Sequence, residues 1–231
     1  AIRFKCLARP DILRRPGDSD ALARAGCEGV WIGAESGSQK VLDAMEKGTR
    51  VEDIVTASRE LRRRNIKIGW FIQFGYPGES WRDIGATMAL IRRVQPDHLG
   101  ISVSYPLPGT RFYERVRHQL GAKQNWDDSD DLAMLFRGPY TTTFYRWLHR
   151  TVHLDLALHR LWAEIASGAV FAKPWHRQMR RCASLAMHAV IVPVFWGWLL
   201  VLACLPHRGT PAIQPRLARP AAATPSPQPQ D

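Results

Sequence analysis

Three apolar runs in this chain each stop at a polar loop that carries glycine. They read VWIGAESGS (Val30 to Ser38), IGWFIQFGYPGES (Ile68 to Ser80) and HLGISVSYPLPGT (His98 to Thr110). Helix-like sequence separates them. Strands covered on both faces read as nearly continuous hydrophobic runs, the pattern of a parallel sheet wrapped by helices. In such folds ligands sit beyond the carboxyl ends of the strands. The three loops are therefore where chemistry is expected.

The full alternation sharpens the expectation. A strand is expected over residues 2–7 and another over 29–34, with a short helix from Ser19 to Ala25 capped by Asp18 or Ser19. Ser38 is placed to cap a helix from Gln39 to Glu46. A helix from Val51 to Arg64 repeats apolar residues at helical spacing. Strands over 66–74 and 98–103 follow. Ser80 opens a helix that Pro96 ends, and Thr110 opens one running to about Leu120. Strand–helix alternation of this period gives right-handed βαβ units. The fold class is α/β, with about four parallel strands, which alone make an incomplete barrel or a small open sheet.

Beyond Gly121 the pattern changes. Asp127 to Asp131 read as an N-cap with helix-dipole charges. Thr141 to Ser167 read as one long amphipathic helix. Ala183 to Leu205 contains no Asp, Glu, Lys or Arg and is long enough to cross a bilayer as a helix. Lys173, Arg177, Arg180 and Arg181 precede it, which would keep its amino end cytoplasmic. The other reading is an apolar helix packed on a partner. Residues 206–231, rich in Pro and Ala, read as a disordered tail. The expected domains are 1–120, 121–182, 183–205 and 206–231.

Net charge is +11, from 32 basic and 21 acidic residues, and 26 of the basic residues are Arg. No nucleic-acid module motif accompanies the charge, so an Arg-rich set of exposed helix faces is the reading adopted and nucleic acid is not expected as a partner. The four cysteines, Cys6, Cys27, Cys182 and Cys204, have no metal-site spacing. They are expected as buried free thiols in a reducing cytosol. The chain opens at Ala1 with IRFKCL already strand-like, which reads as a start inside a fold.

The loops carry candidate ligand groups. Glu35 and Ser36 stand at a strand's carboxyl end, where a carboxylate and a hydroxyl can bind a ribose diol. The alternative is that Glu35 pairs with an Arg and Ser36 caps the next helix. Gly37 would supply a tight turn or a positive φ. Gly75 and Gly78 let backbone approach a flat ligand, with Ile72 and Phe74 as an apolar wall. Glu79 starts a helix, where its charge suits the dipole. The prolines after Ser104 fix the third loop and leave carbonyls toward the pocket. Lys47 meets either a ligand carboxylate or terminal helix carbonyls, the latter being favoured.

Taken in order, AGC, GVWIGAESGSQKVLDAMEKGT, FIQFGYPGES and PLPGT resemble the second half of the radical S-adenosylmethionine (SAM) enzymes, in the cobalamin-binding branch. The later run QNWDDSDDLAMLF to GPYTTTFYRWLHRTVH resembles the C-terminal part of the anaerobic magnesium-protoporphyrin monomethyl ester cyclase group. The resemblance implies strands three to six of a partial (β/α)₆ barrel. It implies SAM as cofactor, with Glu35 and Ser36 at the ribose and Ile72, Gly75, Ser102 and Ser104 at the adenine. A [4Fe-4S] cluster and cobalamin are implied for the intact enzyme. The family's Cys-x-x-x-Cys-x-x-Cys is absent from this sequence. The expected partner is thus a missing N-terminal half with the cobalamin domain and cluster, and the chain alone should be inactive. The substrate class is a small molecule, a tetrapyrrole or a lipid. The expected location is cytoplasmic, attached to the inner membrane through residues 183–205. A non-catalytic, membrane-associated half-barrel is the alternative.

Overall fold

A computed structural model describes residues 2–15, 17–120 and 132–205. Four parallel strands form one sheet in sequential order: β1 (Phe4–Ala8), β2 (Cys27–Glu35), β3 (Lys67–Phe74) and β4 (His98–Val103). Each crossover is helical. Helices α1 (Pro10–Leu13) and α2 (Asp18–Arg24) join β1 to β2; α3 (Gln39–Ala44) and α4 (Val51–Arg63) join β2 to β3; α5 (Trp81–Val94) joins β3 to β4. The parallel α/β class is as the sequence implied. Helix α6 (Arg111–Val116), then α7 (Thr142–Ala166) and α8 (Trp175–Cys204), follow the sheet.

Side chains alternate across the sheet, and the two faces differ in kind. One face carries Val30, Ile32, Ile68, Trp70, Ile72, Phe74, Ile101 and Val103, all buried. It packs on α4, α5 and α7, with Ile54, Leu61, Ile84, Met88, Ile91, Phe144 and Leu148 in the same core. Trp70 is wholly buried and donates its indole N–H to Ser58 Oγ on α4 at 3.1 Å, so the polar end of the largest core side chain is satisfied. The other face carries Gly29, Trp31, Gly33, Gly69, Phe71 and Gly100 and has no helix over it among the described residues.

Caps explain most helix starts and some corrections. Ser80 begins α5 through a reciprocal capping box with Asp83, and Thr110 accepts from the Tyr113 amide as N-cap of α6. Ser38 stands at the start of α3 but does not cap it: its hydroxyl donates to Asp83 Oδ1 at 2.7 Å, tying α3 to α5. Asp18 and Ser19 lie inside α2, whose N-cap position is Gly17 at φ 90°. The helix after Thr110 stops at Val116 and continues as a 3₁₀ turn, Arg117–Gln119. The acidic run Asp127 to Asp131 and the tail 206–231 lie outside the described residues.

Several arginines are structural ligands rather than solvated charges. Arg62 donates to the Val94 and Gln95 carbonyls, Arg160 to those of Pro96 and Asp97, and Arg64 bridges Asp20 and Glu60. Arg92 reaches Asp155 of α7 at 2.6 Å, and the Asp155 side chain is 1% exposed. Trp196 of α8 donates to the same carboxylate at 2.9 Å. That carboxylate locks α5, α7 and α8 together, and removal of Arg92 would leave a buried carboxylate without its ion-pair partner.

Helix α8 is long and apolar enough to cross a membrane by length and composition. It begins eight residues before Ala183, so the expected boundary between 182 and 183 falls inside it. The thiols divide: Cys27 is buried and Cys6 half-buried, with sulfurs 4.0 Å apart, whereas Cys182 and Cys204 are exposed on α8. The expectation of four buried thiols fails for the last two because the face of α8 that carries them has no covering element among the described residues.

Candidate functional site

The carboxyl end of β2 departs from regular strand. Its register with β3 shifts between Gly33 and Glu35, an irregularity of the kind found beside functional sites. Glu35 then takes φ 57°, in the left-handed region. Such a conformation in a non-glycine residue costs on the order of 1 kcal/mol and persists where surroundings impose it. The strained residue is thus Glu35, not Gly37. Gly37 is needed for closeness: a Cβ there would lie 2.6 Å from the Ala86 carbonyl oxygen and from Thr87 Cα on α5.

The turn aims the Glu35 carboxylate back over Gly33. A Cβ on Gly33 would stand 2.7 Å from Glu35 Oε1 and 3.5 Å from Lys47 Nζ. Lys47 donates to Glu35 Oε1 at 2.7 Å, a partner other than the helix-end carbonyls favoured from sequence. Glu35 pairs with this lysine rather than with an arginine. Its second oxygen, Oε2, is buried without a hydrogen-bond partner among the described residues. A buried carboxylate oxygen left open in this way is costly and calls for an occupant.

Ser36 is used otherwise. Its hydroxyl lies 3.2 Å from Thr87 Oγ1 and accepts from the Ser38 amide at 3.1 Å, and the residue is 1% exposed. The side chain is committed to the loop and to α5, which removes it from the ribose role. Ile72 also departs from its expected place. It pairs with Glu35 and Ile101 across the sheet, but its side chain lies in the helix-covered core. On the open face the neighbours at this level are Phe71, Gln73 and Ser102, with Gln73 and Ser102 paired in register.

The β3 loop is held by a buried acid. Gly75, at φ 82°, donates its amide to Glu79 Oε2 at 2.7 Å. Burial pushes the Glu79 carboxyl up to about 8, against the Gly75 hydrogen bond that favours the charged form. Glu79 Oε1, Tyr145 Oη and Ser104 Oγ are all buried and unpartnered among the described residues. A Cβ on Gly75 would meet Tyr145 Oη at 3.2 Å and Met134 Sδ at 3.1 Å. Residues from the helical extension therefore close directly onto this loop. Burial also holds the Tyr145 hydroxyl well above its usual range. Nearby, burial works against ionisation of Asp83, yet hydrogen bonds from Lys40, Ser80 and Ser38 outweigh it and hold the carboxyl at about 2.

The structure thus gathers Gly33, Glu35, Lys47, Gln73, Gly75, Ser102 and Ser104 at the carboxyl ends of β2, β3 and β4. Sequence reasoning missed the Lys47 pairing and Gln73. The alternation of Gly69, Phe71 and Gln73 along β3 was the available signal for the second. A separate cavity of about 440 Å³ lies at the amino ends of the strands, lined by Lys5, Cys27, Trp31, Lys67, Gly69 and His98. It stands beneath the aromatic residues of the open face, away from the strained turn.

Glu35 Oε2 is an open acceptor over a glycine, suited to a hydroxyl donor such as a ribose, and Ser104 Oγ is a second open group. SAM therefore fits this end of the sheet. A [4Fe-4S] cluster does not fit the chain's own donors: Cys6 and Cys27 supply two sulfurs on adjacent strands, and Cys182 and Cys204 lie on α8.

Residues 2–91 match the family model of the radical SAM superfamily. An uncharacterized methyltransferase of Pyrococcus horikoshii is 28% identical over 108 residues, which are 46% of this chain and 23% of that protein. Bacteriochlorophyllide d C-12(1)-methyltransferase of Chlorobaculum tepidum is 28% identical over 140 residues, 58% of this chain and 30% of that protein. The chain thus spans less than a third of the length of these two relatives. Among solved structures, the radical SAM methyltransferase TsrM from Kitasatospora setae, with cobalamin and a [4Fe-4S] cluster bound, aligns at TM-score 0.44 and 26% identity, over 51% of this chain and 22% of that one.

Proposed function

We propose, from the premise that residues 2–91 belong to the radical SAM superfamily, that this chain supplies the ribose and adenine side of a SAM site. The observation that carries the reading is the Glu35 turn: a strained backbone, a carboxylate over Gly33, and one buried oxygen without a partner. In this reading Glu35 accepts hydrogen bonds from the ribose hydroxyls. Lys47 fixes the carboxylate by holding its other oxygen. Gly75 lets the β3 loop approach the base closely, and Glu79 fixes that loop by accepting the Gly75 amide. Ser102 and Ser104 line the adenine side. When bound, SAM supplies a methyl group or radical chemistry to a substrate; the residues named here bind and orient it.

The cluster, cobalamin and the cysteines that hold iron belong, in this proposal, to another part of the intact enzyme. The bacteriochlorophyllide relative supports a tetrapyrrole as substrate class, with methylation or oxidative cyclisation as the reaction. No side chain of this chain is assigned a proton-transfer role.

The test is ligand mapping on the full chain. Amide spectra of labelled protein would be followed while S-adenosylhomocysteine is added. Shifts are expected at residues 33–36, 73–75 and 102–104, and most of the response should vanish in Glu35→Gln. Shifts confined to Lys5, Trp31 and His98 at the other end of the sheet, or none at millimolar ligand, would overturn the proposal.

A further inference from the structure

We infer that α8 is an in-plane docking helix for an anionic phospholipid surface rather than a membrane span. The inference is independent of the SAM site. The two sides of α8 differ. Val192, Leu199 and Leu202 are buried against the rest of the protein. On the opposite side Met179, Ala183, Met187, Val190, Val194 and Val201 recur at helical spacing, and all are exposed. Val190 and Val194 are 69% and 64% exposed. A helix meant for water carries polar residues on that side; this one carries an apolar stripe several turns long.

Three observations say what covers it. From Ile165 to Gln230 the sequence has seven Lys or Arg and no Asp or Glu. Four of the seven, Lys173, Arg177, Arg180 and Arg181, fall at the amino end of the stripe. Glu164 pairs with Lys173 and Arg181, while Arg177 and Arg180 are exposed and have no acidic partner among the described residues. Second, Phe171 and Trp175 are 67% and 76% exposed beside those charges. Basic residues beside an apolar side that carries Trp and Phe are the composition of helices lying at the headgroup boundary. Third, α8 cannot leave the domain without cost. Trp196 is bonded to Asp155, Asp155 to Arg92, and Trp147 of α7 packs on Phe195 at 5.1 Å between ring centres. Helix α7 runs alongside with Arg150, Asp155, Arg160 and Glu164. Spanning would carry the Arg92–Asp155 pair and these charges toward the hydrocarbon, which is strongly unfavourable. Lying flat keeps α7 on the aqueous side and buries only the outward stripe, about 5–10 Å deep. A second copy of the chain would also cover an apolar stripe, but from Ile165 to Gln230 it would bring no acidic residue to meet the basic end.

The experiment is flotation of the full chain with vesicles. Phosphatidylcholine containing phosphatidylglycerol is compared with phosphatidylcholine alone. Anionic vesicles should bind about tenfold more tightly or better, with the advantage falling as salt is raised. Arg177→Glu/Arg180→Glu and, separately, Val190→Asp/Val194→Asp should each lose about that factor while far-ultraviolet circular dichroism stays unchanged. Alkaline carbonate should strip the bound protein. Equal binding to neutral vesicles with resistance to carbonate would establish a span and overturn the inference. So would absence of vesicle binding, including the case in which Val190→Asp/Val194→Asp instead breaks a dimer seen by light scattering.

Discussion

The two faces of the sheet are made from alternate residues of the same strands, yet they are built on opposite rules. On the covered face, volume does the work: Ile32, Ile68, Trp70 and Ile72 are at most 1% exposed and interlock with α4, α5 and α7. On the open face, absence of volume does the work. Trp31 lies flat across β3 because Gly69 has no Cβ; one placed there would stand 2.3 Å from the indole. The indole stacks on Phe71 at 4.7 Å and on His98 at 5.9 Å between ring centres. The covered face is a finished core, and the open face has no helix over it among the described residues. The strained Glu35 turn sits at the carboxyl end of that second face.

The contrast breaks most visibly by cutting one large side chain from each face. Trp70→Ala removes a fully buried indole and strands the Ser58 hydroxyl, so it should cost about 3–5 kcal/mol. Phe71→Ala, its neighbour in sequence, removes a ring that is 42% exposed and should cost about 1 kcal/mol or less. Urea unfolding of both variants measures the difference. Equal losses would mean that the open face is as much a core as the covered one.

Next comes the acid that seals the β3 loop. Burial raises the Glu79 carboxyl to about 8 from an ordinary 4.5. Because the folded state holds the proton more tightly than the unfolded chain, this group stabilises the fold fully below about 4.5. That contribution declines as pH rises to about 8 and is gone above it. Glu79→Gln retains an acceptor for the Gly75 amide and cannot ionise. Stability measured from pH 5 to 8.5 should fall in the parent and lose that component of the slope in Glu79→Gln. Identical slopes would show that Glu79 titrates near its ordinary value.

Much of this was legible in the strands and little of it in the side-chain partners. His98 to Val103 coincides with β4, and Ser80 and Thr110 cap the helices assigned to them, because strand runs and caps are local properties. The loop order also pointed to the family. What escaped was set by contacts distant in sequence. Ser36 and Ser38 look like a ribose ligand and a cap, yet both turn to α5, toward Thr87 and Asp83. Lys47 sits at a helix end but reaches back to Glu35. Ile72 looked like a pocket wall because a run of KIGWFIQF hides its alternation: apolar residues occupy both faces, and only the glycines and Gln73 reveal which side is open.

Those glycines offer the finest test. Gly69→Ala adds one methyl group to the sheet, and a strand tolerates alanine there on backbone grounds, since Gly69 has no positive φ. The whole effect must therefore come from the contact. The new Cβ would meet Trp31 Cδ2 at 2.3 Å and Cε2 at 2.6 Å, distances that no relaxed structure keeps, so the indole must swing off the sheet. Overpacking of this kind costs roughly 1–3 kcal/mol where the neighbour is confined. Here Trp31 borders a cavity and an open face, so the lower end is expected. The readout is near-ultraviolet circular dichroism, where the Trp31–Phe71–His98 stack contributes and an indole turned into solvent does not. Retention of the parent spectrum with an unchanged melting temperature would mean that the plate is not held by the glycine, and the distinction between the two faces would then rest on burial alone.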